Sequence, residues 1–266
     1  MADMKVPALA GLKSVPPLTN PIVISDVHLA PNRPALMTAF LKFLERIAPR
    51  YAELVVTGDL FDYWLGDDAM LGPDASADVD AIVSSLKLYT SNGHRTLIMP
   101  GLHDCLLGRD FTDACGAELV ADPIVINVMG NSVLFSHGAQ WCTKDEALQA
   151  YRAVVTSPQW QSSVMRLPAG ERAKMFDEAW KAASESHPEE ISEKDRDVVE
   201  SAAAESARAA GAQIVIHGHT HRPGAHVNAM IERWTVPDWN IDPEKKHNKS
   251  GWVTFLEGGH PQIQLF

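Results

Sequence analysis

Five short apolar runs, each ending at an aspartate, a histidine or a glycine, punctuate the chain. Pro21 to Ser25 leads into Asp26, Glu53 to Thr57 into Gly58-Asp59, and Arg95 to Met99 into Pro100-Gly101. Ser132 to Ser136 leads into His137-Gly138, and Gln213 to Ile216 into His217-Gly218. Runs of this length, rich in β-branched residues, read as buried strands. Between the first of them, Leu36, Phe40, Leu41 and Leu44 carry helical spacing over Pro34 to Ala48, and a second helix is expected over Asp78 to Ser91. Strand, loop and helix in alternation predict an α/β fold, and open α/β sheets gather their sites at the carboxyl ends of their strands.

Pro123 to Val128 and Ser132 to Ser136 flank Gly130-Asn131, the signature of a hairpin. From Thr143 to Ala210 the strand pattern gives way to helical stretches broken near Pro158, Pro168 and Pro188, which predicts a helical insertion, a lid, over residues 143–212. Apolar runs at Ala225 to Val236, Gly251 to Phe255 and Gln262 to Phe266 are expected to form a second, antiparallel layer. Two stacked sheets with outer helices, a four-layer α-β-β-α sandwich, accommodate all of these elements. With 266 residues the chain can bury one substantial core, so one domain is expected over residues 21–266 after a loose extension over 1–20 that lacks the features of a signal peptide.

A net charge of -11 argues against a broad nucleic-acid surface, which needs clustered Lys and Arg. The three cysteines, Cys105, Cys115 and Cys142, show no C-x-x-C spacing and point to a reducing, cytoplasmic setting. No apolar stretch reaches the length of a membrane span, so any membrane contact is expected to be peripheral.

Asp26-Val27-His28 sets two ligand-type side chains two residues apart, and an extended backbone would point both the same way. Taken alone, an aspartate at a strand end is as readily a cap or a turn former. His217-Gly218-His219-Thr220-His221 places three alternating imidazoles after a buried strand, where they would project to one side of an extended chain. With Asp59 and His137 at two further strand ends, carboxylates and imidazoles can converge on a metal, and such a mixture suits Mn²⁺, Fe or Zn²⁺.

In this order, the blocks around Asp26-Val27-His28, Gly58-Asp59, Gly101-Leu102-His103-Asp104, His137-Gly138 and Gly218-His219-Thr220-His221 resemble those of the calcineurin-like metallophosphoesterases. The likeness spans most of Ile22 to Phe266. Longer stretches, Ile24 to Leu29, Gly58 to Phe61 with Trp64 and Gly66-Asp67-Asp68, Leu106-Leu107-Gly108, Cys142-Thr143 and Gly218 to Pro223, are similar to the bacterial UDP-2,3-diacylglucosamine hydrolases of lipid A synthesis. The resemblance implies that Asp26, His28, Asp59 and His221 hold one divalent metal, and that Asp59 bridges to a second held also by His137 and His219, with Mn²⁺ the usual ion. Two such cations would activate a water and neutralise the phosphoryl oxygens during in-line attack. His103 is implied as the group assisting the leaving oxygen or steadying the phosphoryl group, and Asp104, able to orient it, as a further substrate contact. The implied substrate is a nucleotide-linked glycolipid, cleaved to UMP and 2,3-diacylglucosamine 1-phosphate. Its acyl chains would lie on lid residues such as Trp160, Met165 and Trp180.

The sequence departs from the resembled pattern at four positions. Leu102 replaces an asparagine that would ligate the second metal, His103 an arginine, Ala139 an aspartate and Leu148 a tyrosine. Glu185 to Asp197 is rich in acid where a phosphate-binding lid would profit from Lys and Arg. Two alternatives follow: a degenerate relative with an impaired second site, acting on another phosphoester or as a binding module, and a nuclease on the same scaffold.

Overall fold

The computed structural model describes residues 15–71, 76–185, 192, 195–228, 230–241 and 250–266, except for the side chains of residues 180 and 182–185. The first half of the chain forms β1 (Pro21–Ile24), α1 (Pro34–Arg46), β2 (Glu53–Thr57), α2 (Asp67–Met70), α3 (Ala77–Ser91), β3 (Arg95–Met99), α4 (Arg109–Cys115), β4 (Glu118–Leu119), β5 (Ile124–Val128) and β6 (Asn131–Ser136). The second half forms α5 (Glu146–Val155), α6 (Pro158–Val164), α7 (Ala169–Glu185), α8 (Glu200–Ala209), β7 (Ile214–His217), β8 (Gly224–Val227), β9 (Glu232–Thr235), β10 (Gly251–Phe255) and β11 (Pro261–Leu265). One sheet has the order β11-β10-β1-β2-β3-β4 and the other β5-β6-β7-β9-β8. The strands that carry the candidate residues are parallel neighbours, β1 with β2 and β2 with β3 in one sheet, β6 with β7 in the other. Their carboxyl ends therefore lie side by side.

Period-two alternation builds the layers. Ile22, Ile24, Leu54, Val56 and Ile98 pack with Phe40, Phe43, Ile82, Leu86 and Phe111 of α1, α3 and α4. Their strand neighbours Val23, Val55, Leu97 and Met99 join Ile126, Val128, Val133, Phe135, Ile214 and Ile216 between the sheets. On the far side, Leu134 and Val215 meet Ala203, Ala204 and Ala207 of α8, small residues that let the helix approach the sheet. Helices, sheet, sheet and helix are the four-layer sandwich expected from the sequence.

The closing third of the chain does not form one layer. β8 and β9 extend the second sheet, whereas β10 and β11 cross to the edge of the first, where β10 pairs antiparallel with β1. The hairpin turn also lies one residue earlier than expected. Val128 pairs with Asn131, and both intervening residues, Met129 (φ 50) and Gly130 (φ 96), are left-handed, as a two-residue turn between twisted strands requires. Helix α1 stops at Arg46 rather than Ala48, and the chain continues as a short 3-10 turn over Ala48–Arg50 with Pro49 inside it, where a missing N–H costs nothing.

The extension expected through Asn20 is held against the domain from Leu18 onward. Leu18 is buried and bridged to Val128, and the backbone N–H groups of Thr19 and Asn20 donate to the Glu53 carboxylate. Helices α5 to α7 place Val155, Val164 and Phe176 in the helix-side core. Arg172 of α7 pairs with Asp68 of α2 through two hydrogen bonds, at 2.8 and 2.5 Å. Among the described residues, no helix is long and apolar enough to cross a membrane.

Candidate metal centre

Backbone conformation marks the site before any side chain is considered. Among described non-glycine residues, those with positive φ are Asp26 (52°), His28 (52°), Asp59 (52°), His219 (67°), His221 (52°) and, in the hairpin turn, Met129. Each left-handed non-glycine residue costs roughly 1–3 kcal/mol, and such strain persists only where the surrounding structure imposes it. Here it falls on five of the six candidate metal ligands. Asp26 and His28 do share one centre, but through left-handed backbone at both positions and not through strand extension.

Three overlapping groups have ligand atoms all within 4.8 Å of one another: Asp26, His28 and His221; Asp26, Asp59 and His137; and His28, Asp59 and His103. Asp59 Oδ2 lies 3.3 Å from His137 Nε2 and 4.0 Å from His28 Nε2, and Asp26 Oδ1 lies 3.4 Å from His221 Nε2. His219 is outside these groups, but its ring stands against His137 with 5.0 Å between centroids, and its backbone N–H donates to Asp26 Oδ2 at 2.9 Å. His217 turns away to an inner cluster, so the three imidazoles of the last motif do not share a side.

Three buried atoms at this centre, Asp26 Oδ1, His28 Nε2 and His137 Nε2, make no hydrogen bond. Buried polar atoms are nearly always satisfied, so three orphans facing one small volume are what a cation-binding cradle leaves when described by its protein atoms alone. The donor set of carboxylate and imidazole fits a divalent transition metal. Two further carboxylates support it, since Asp62 lies 3.4 Å from His28 Nδ1 and Asp238 lies 3.6 Å from His221 Nδ1. Both stand on the Nδ1 side of their rings, away from Nε2, and act to raise the basicity of the imidazole.

The electrostatics agree. Burial acts to raise the carboxyls of Asp26 and Asp59, but the surrounding imidazoles outweigh it and hold both below the usual carboxylate range. Burial likewise lowers His137 and His221, yet Asp59 pushes His137 up to about 10 and Asp26 pushes His221 up to about 9. His219 is brought down to about 3 by burial and by His137. The centre is thus a buried negative charge that demands positive charge, either protons or metal.

Beside the centre lies a cavity of about 500 Å³. His28, Asp59, His103, His219 and His221 form its polar floor, Leu102, Leu148 and Tyr151 its apolar wall, and Arg196 and Arg222 supply cationic groups. His103 Nδ1 lies 2.9 Å from the Asp62 carbonyl oxygen, so it donates there. Asp104 does not reach the cavity. Fully buried, it accepts from the backbone N–H groups of Gly101 (2.6 Å), Leu60 (2.8 Å) and Phe61 (3.3 Å), tying two strand-end loops together. Its expected role as a substrate contact is corrected accordingly.

Trp160 and Met165 do not line the cavity either. Trp160 packs edge-on against Phe176, while Met165 is 37% exposed beside Arg172. The side chain of Trp180 lies outside the described residues. Sequence reasoning missed Asp62, Asp238, Arg196 and Tyr151. Only Asp62, three residues past Asp59, stood near a recognised block, and Arg196 lies inside the stretch read as acidic.

The family described as calcineurin-like phosphoesterase matches residues 20–223. A UDP-2,3-diacylglucosamine hydrolase of Chromobacterium violaceum is 37% identical over 243 residues, covering 91% of this chain and 97% of that protein. One from Bordetella parapertussis is 34% identical over 247 residues, covering 88% of this chain and 91% of that protein. Among solved structures, an archaeal phosphodiesterase covers 93% of this chain and 99% of its own at 11% identity and a TM-score of 0.45.

Proposed function

The chain belongs to the calcineurin-like phosphoesterase family and is a metal-dependent hydrolase, and we propose that its substrate is UDP-2,3-diacylglucosamine, cleaved at the pyrophosphate to UMP and 2,3-diacylglucosamine 1-phosphate. The observation that carries this reading is the pairing of a buried, orphan-rich carboxylate and imidazole cluster with a cavity that has both an apolar wall and arginines. A pyrophosphate needs the first, acyl chains need the second, and the phosphoryl charges need the third. The binding-module alternative is not favoured by relatives that carry enzyme names.

In this reading Asp26, His28, Asp59 and His221 hold one divalent ion and Asp59, His137 and His219 the other, with Mn²⁺ the ion proposed. When bound, such ions neutralise phosphoryl oxygens and lower the pKa of an attacking water. The protein's part is to orient and to manage protons. Asp62 and Asp238 fix the rings of His28 and His221, and the Asp62 carbonyl takes the Nδ1 hydrogen of His103, leaving Nε2 as the ring atom for proton exchange at the leaving oxygen. Arg222, held 3.4 Å from Asp197, and Arg196 face the phosphoryl charge. Such a site would operate at the cytoplasmic face of a membrane, reached by peripheral contact with a lipid substrate.

The test is UMP release from UDP-2,3-diacylglucosamine against Mn²⁺ concentration. Release that saturates with metal is expected; none at saturating Mn²⁺, or faster cleavage of DNA at physiological salt, would overturn the reading. The same titration on Leu102→Asn should show the weaker metal binding about 10-fold or more tighter, because Leu102 lines the cavity without a ligand atom and even an outer-shell partner is worth that much. An unchanged metal dependence would remove Leu102 from the account.

Metal uptake should also release protons. His137 and His221, at about 10 and about 9, are protonated at neutral pH and must become neutral to ligate, so affinity rises as pH rises toward those values and falls as pH drops. Calorimetry of Mn²⁺ binding in buffers of different ionisation enthalpy measures this; zero proton release would contradict the charge assignment.

A further inference from the structure

One member of the three-histidine motif takes no part in the metal centre. His217 ends β7 and is fully buried. Its Nε2 lies 2.9 Å from Arg233 Nη1 and 3.1 Å from Thr235 Oγ1. A guanidinium can only donate, so Nε2 is the acceptor and the ring hydrogen sits on Nδ1, which donates to the Gly218 carbonyl oxygen at 2.8 Å. Arg233 is itself 2% exposed and fixed by Glu200, the first residue of α8, whose Oε1 accepts from Nε at 2.9 Å and also from Nη2.

The peptide that His217 grips is the hub of the centre. The Gly218 N–H donates to the His137 carbonyl at 3.0 Å, and the Gly218 oxygen also accepts from the Thr220 N–H at 2.8 Å. The next N–H, that of His219, reaches Asp26 Oδ2 at 2.9 Å. No side chain fits at position 218, where a Cβ would stand 1.9 Å from Ser25 Oγ and 2.2 Å from Asp26 Oδ2. The two peptide units that meet at Gly218 therefore space Asp26 and His137 against the loop that carries His219 and His221, and a small rotation at Gly218 would move several ligand positions together.

We infer that His217 is a positioning residue: by holding the Gly218 carbonyl it sets the approach of His219 and His221 to Asp26 and His137, and Arg233 and Glu200 hold its ring in the tautomer this requires. The inference rests on the metal-centre reading above. It also ties α8, the return from the helical insertion, to the ligand loop, and the ion pair between Asp197 and Arg222 makes a second tie a few residues away.

Divalent-metal binding, measured with Mn²⁺ by equilibrium dialysis and metal analysis, needs no substrate and separates the two ideas. His217→Phe keeps an aromatic ring and loses all of its hydrogen bonds, whereas His217→Asn keeps a donor near the Nδ1 position and loses the bond to Arg233. The Phe variant should bind metal about 10 to 100-fold more weakly, and the Asn variant should recover most of that loss. Apo melting temperatures should be similar for the two, since both give up the buried contact with Arg233. Metal binding by the Phe variant equal to that of the parent, or equal losses in both variants, overturns the inference while leaving the metal centre standing. A parent chain that binds no divalent metal overturns the metal centre as well. Should the Phe variant fail to fold, Glu200→Gln decides, because it loosens Arg233 without touching the ring: weaker metal binding is expected, and unchanged binding overturns the inference.

Discussion

The Asp59→Asn variant is expected to fold as the parent does and to lose hydrolysis by about 10³-fold or more. Asp59 is buried, and its two oxygens have separate tasks. Oδ1 accepts the backbone N–H of His103 at 2.9 Å, which an asparagine carbonyl can still do. Oδ2 is the atom near both His137 and His28, and asparagine would present an NH₂ there. Shape is kept while a full negative charge leaves the carboxylate that stands between His28 and His137, which in the proposed reading would be shared between two ions. Metal ions contribute several kcal/mol of transition-state stabilisation, and about 4 kcal/mol corresponds to about 10³-fold in rate. Circular dichroism should match the parent, metal content should fall, and UMP release should sink to background. Activity within tenfold of the parent with metal content unchanged would show that Asp59 is not a shared ligand.

The candidate ligands were legible because each lies within a few residues of a strand end, and strands announce themselves by composition over four to six residues. Asp26 follows β1, Asp59 follows β2, and His137 and His219 follow β6 and β7. A local pattern carries that much. What it does not carry is the backbone turn at those residues: nothing in Asp26-Val27-His28 marks both ends as left-handed, because the conformation is imposed by the loops packed against them, where Asp26 N–H reaches the Gly58 carbonyl at 3.1 Å and His28 N–H the Asp59 carbonyl at 3.0 Å.

Partner choice among strands is equally non-local. β10 reads like any apolar run, and its place beside β1, with Ile22 opposite Thr254, comes from a pairing across most of the chain. Asp238 stayed invisible for the same reason, since it meets His221 only after β9 has docked beside β7. Asp104 was over-read: its place in a recognised block suggested contact with substrate, but complete burial under three amide donors makes it a brace between the loops after β2 and β3. Burial and the neighbouring Asp59 push its carboxyl up to about 6 against those donors.

That brace leads to the second large effect, expected from a single methyl group at Gly101. A Cβ there would lie 2.1 Å from Asp59 Oδ1 and 2.5 Å from the Asp59 backbone nitrogen. A flexible side-chain tip could swing away, but a backbone nitrogen cannot move without carrying its loop. The same residue donates its N–H to Asp104 at 2.6 Å, so the loop after β3 cannot retreat either without breaking the brace. Gly101→Ala should therefore cost about 1–3 kcal/mol of stability as overpacking. By displacing Asp59 it should also weaken metal binding by at least the roughly 10 to 100-fold seen when a supporting residue is lost.

Gly170→Ala is the control. It sits in α7 with nothing within 4 Å of an added Cβ, and removing glycine's freedom from the unfolded chain should stabilise the protein by about 0.4–1 kcal/mol. Thermal unfolding with and without Mn²⁺ distinguishes the two contributions. The parent and Gly170→Ala should gain stability on adding metal, whereas Gly101→Ala should begin lower and gain little. An equal metal-dependent gain in Gly101→Ala would mean that Asp59 keeps its place despite the intruding methyl, and that the close approach of these two loops is not what positions the ligand.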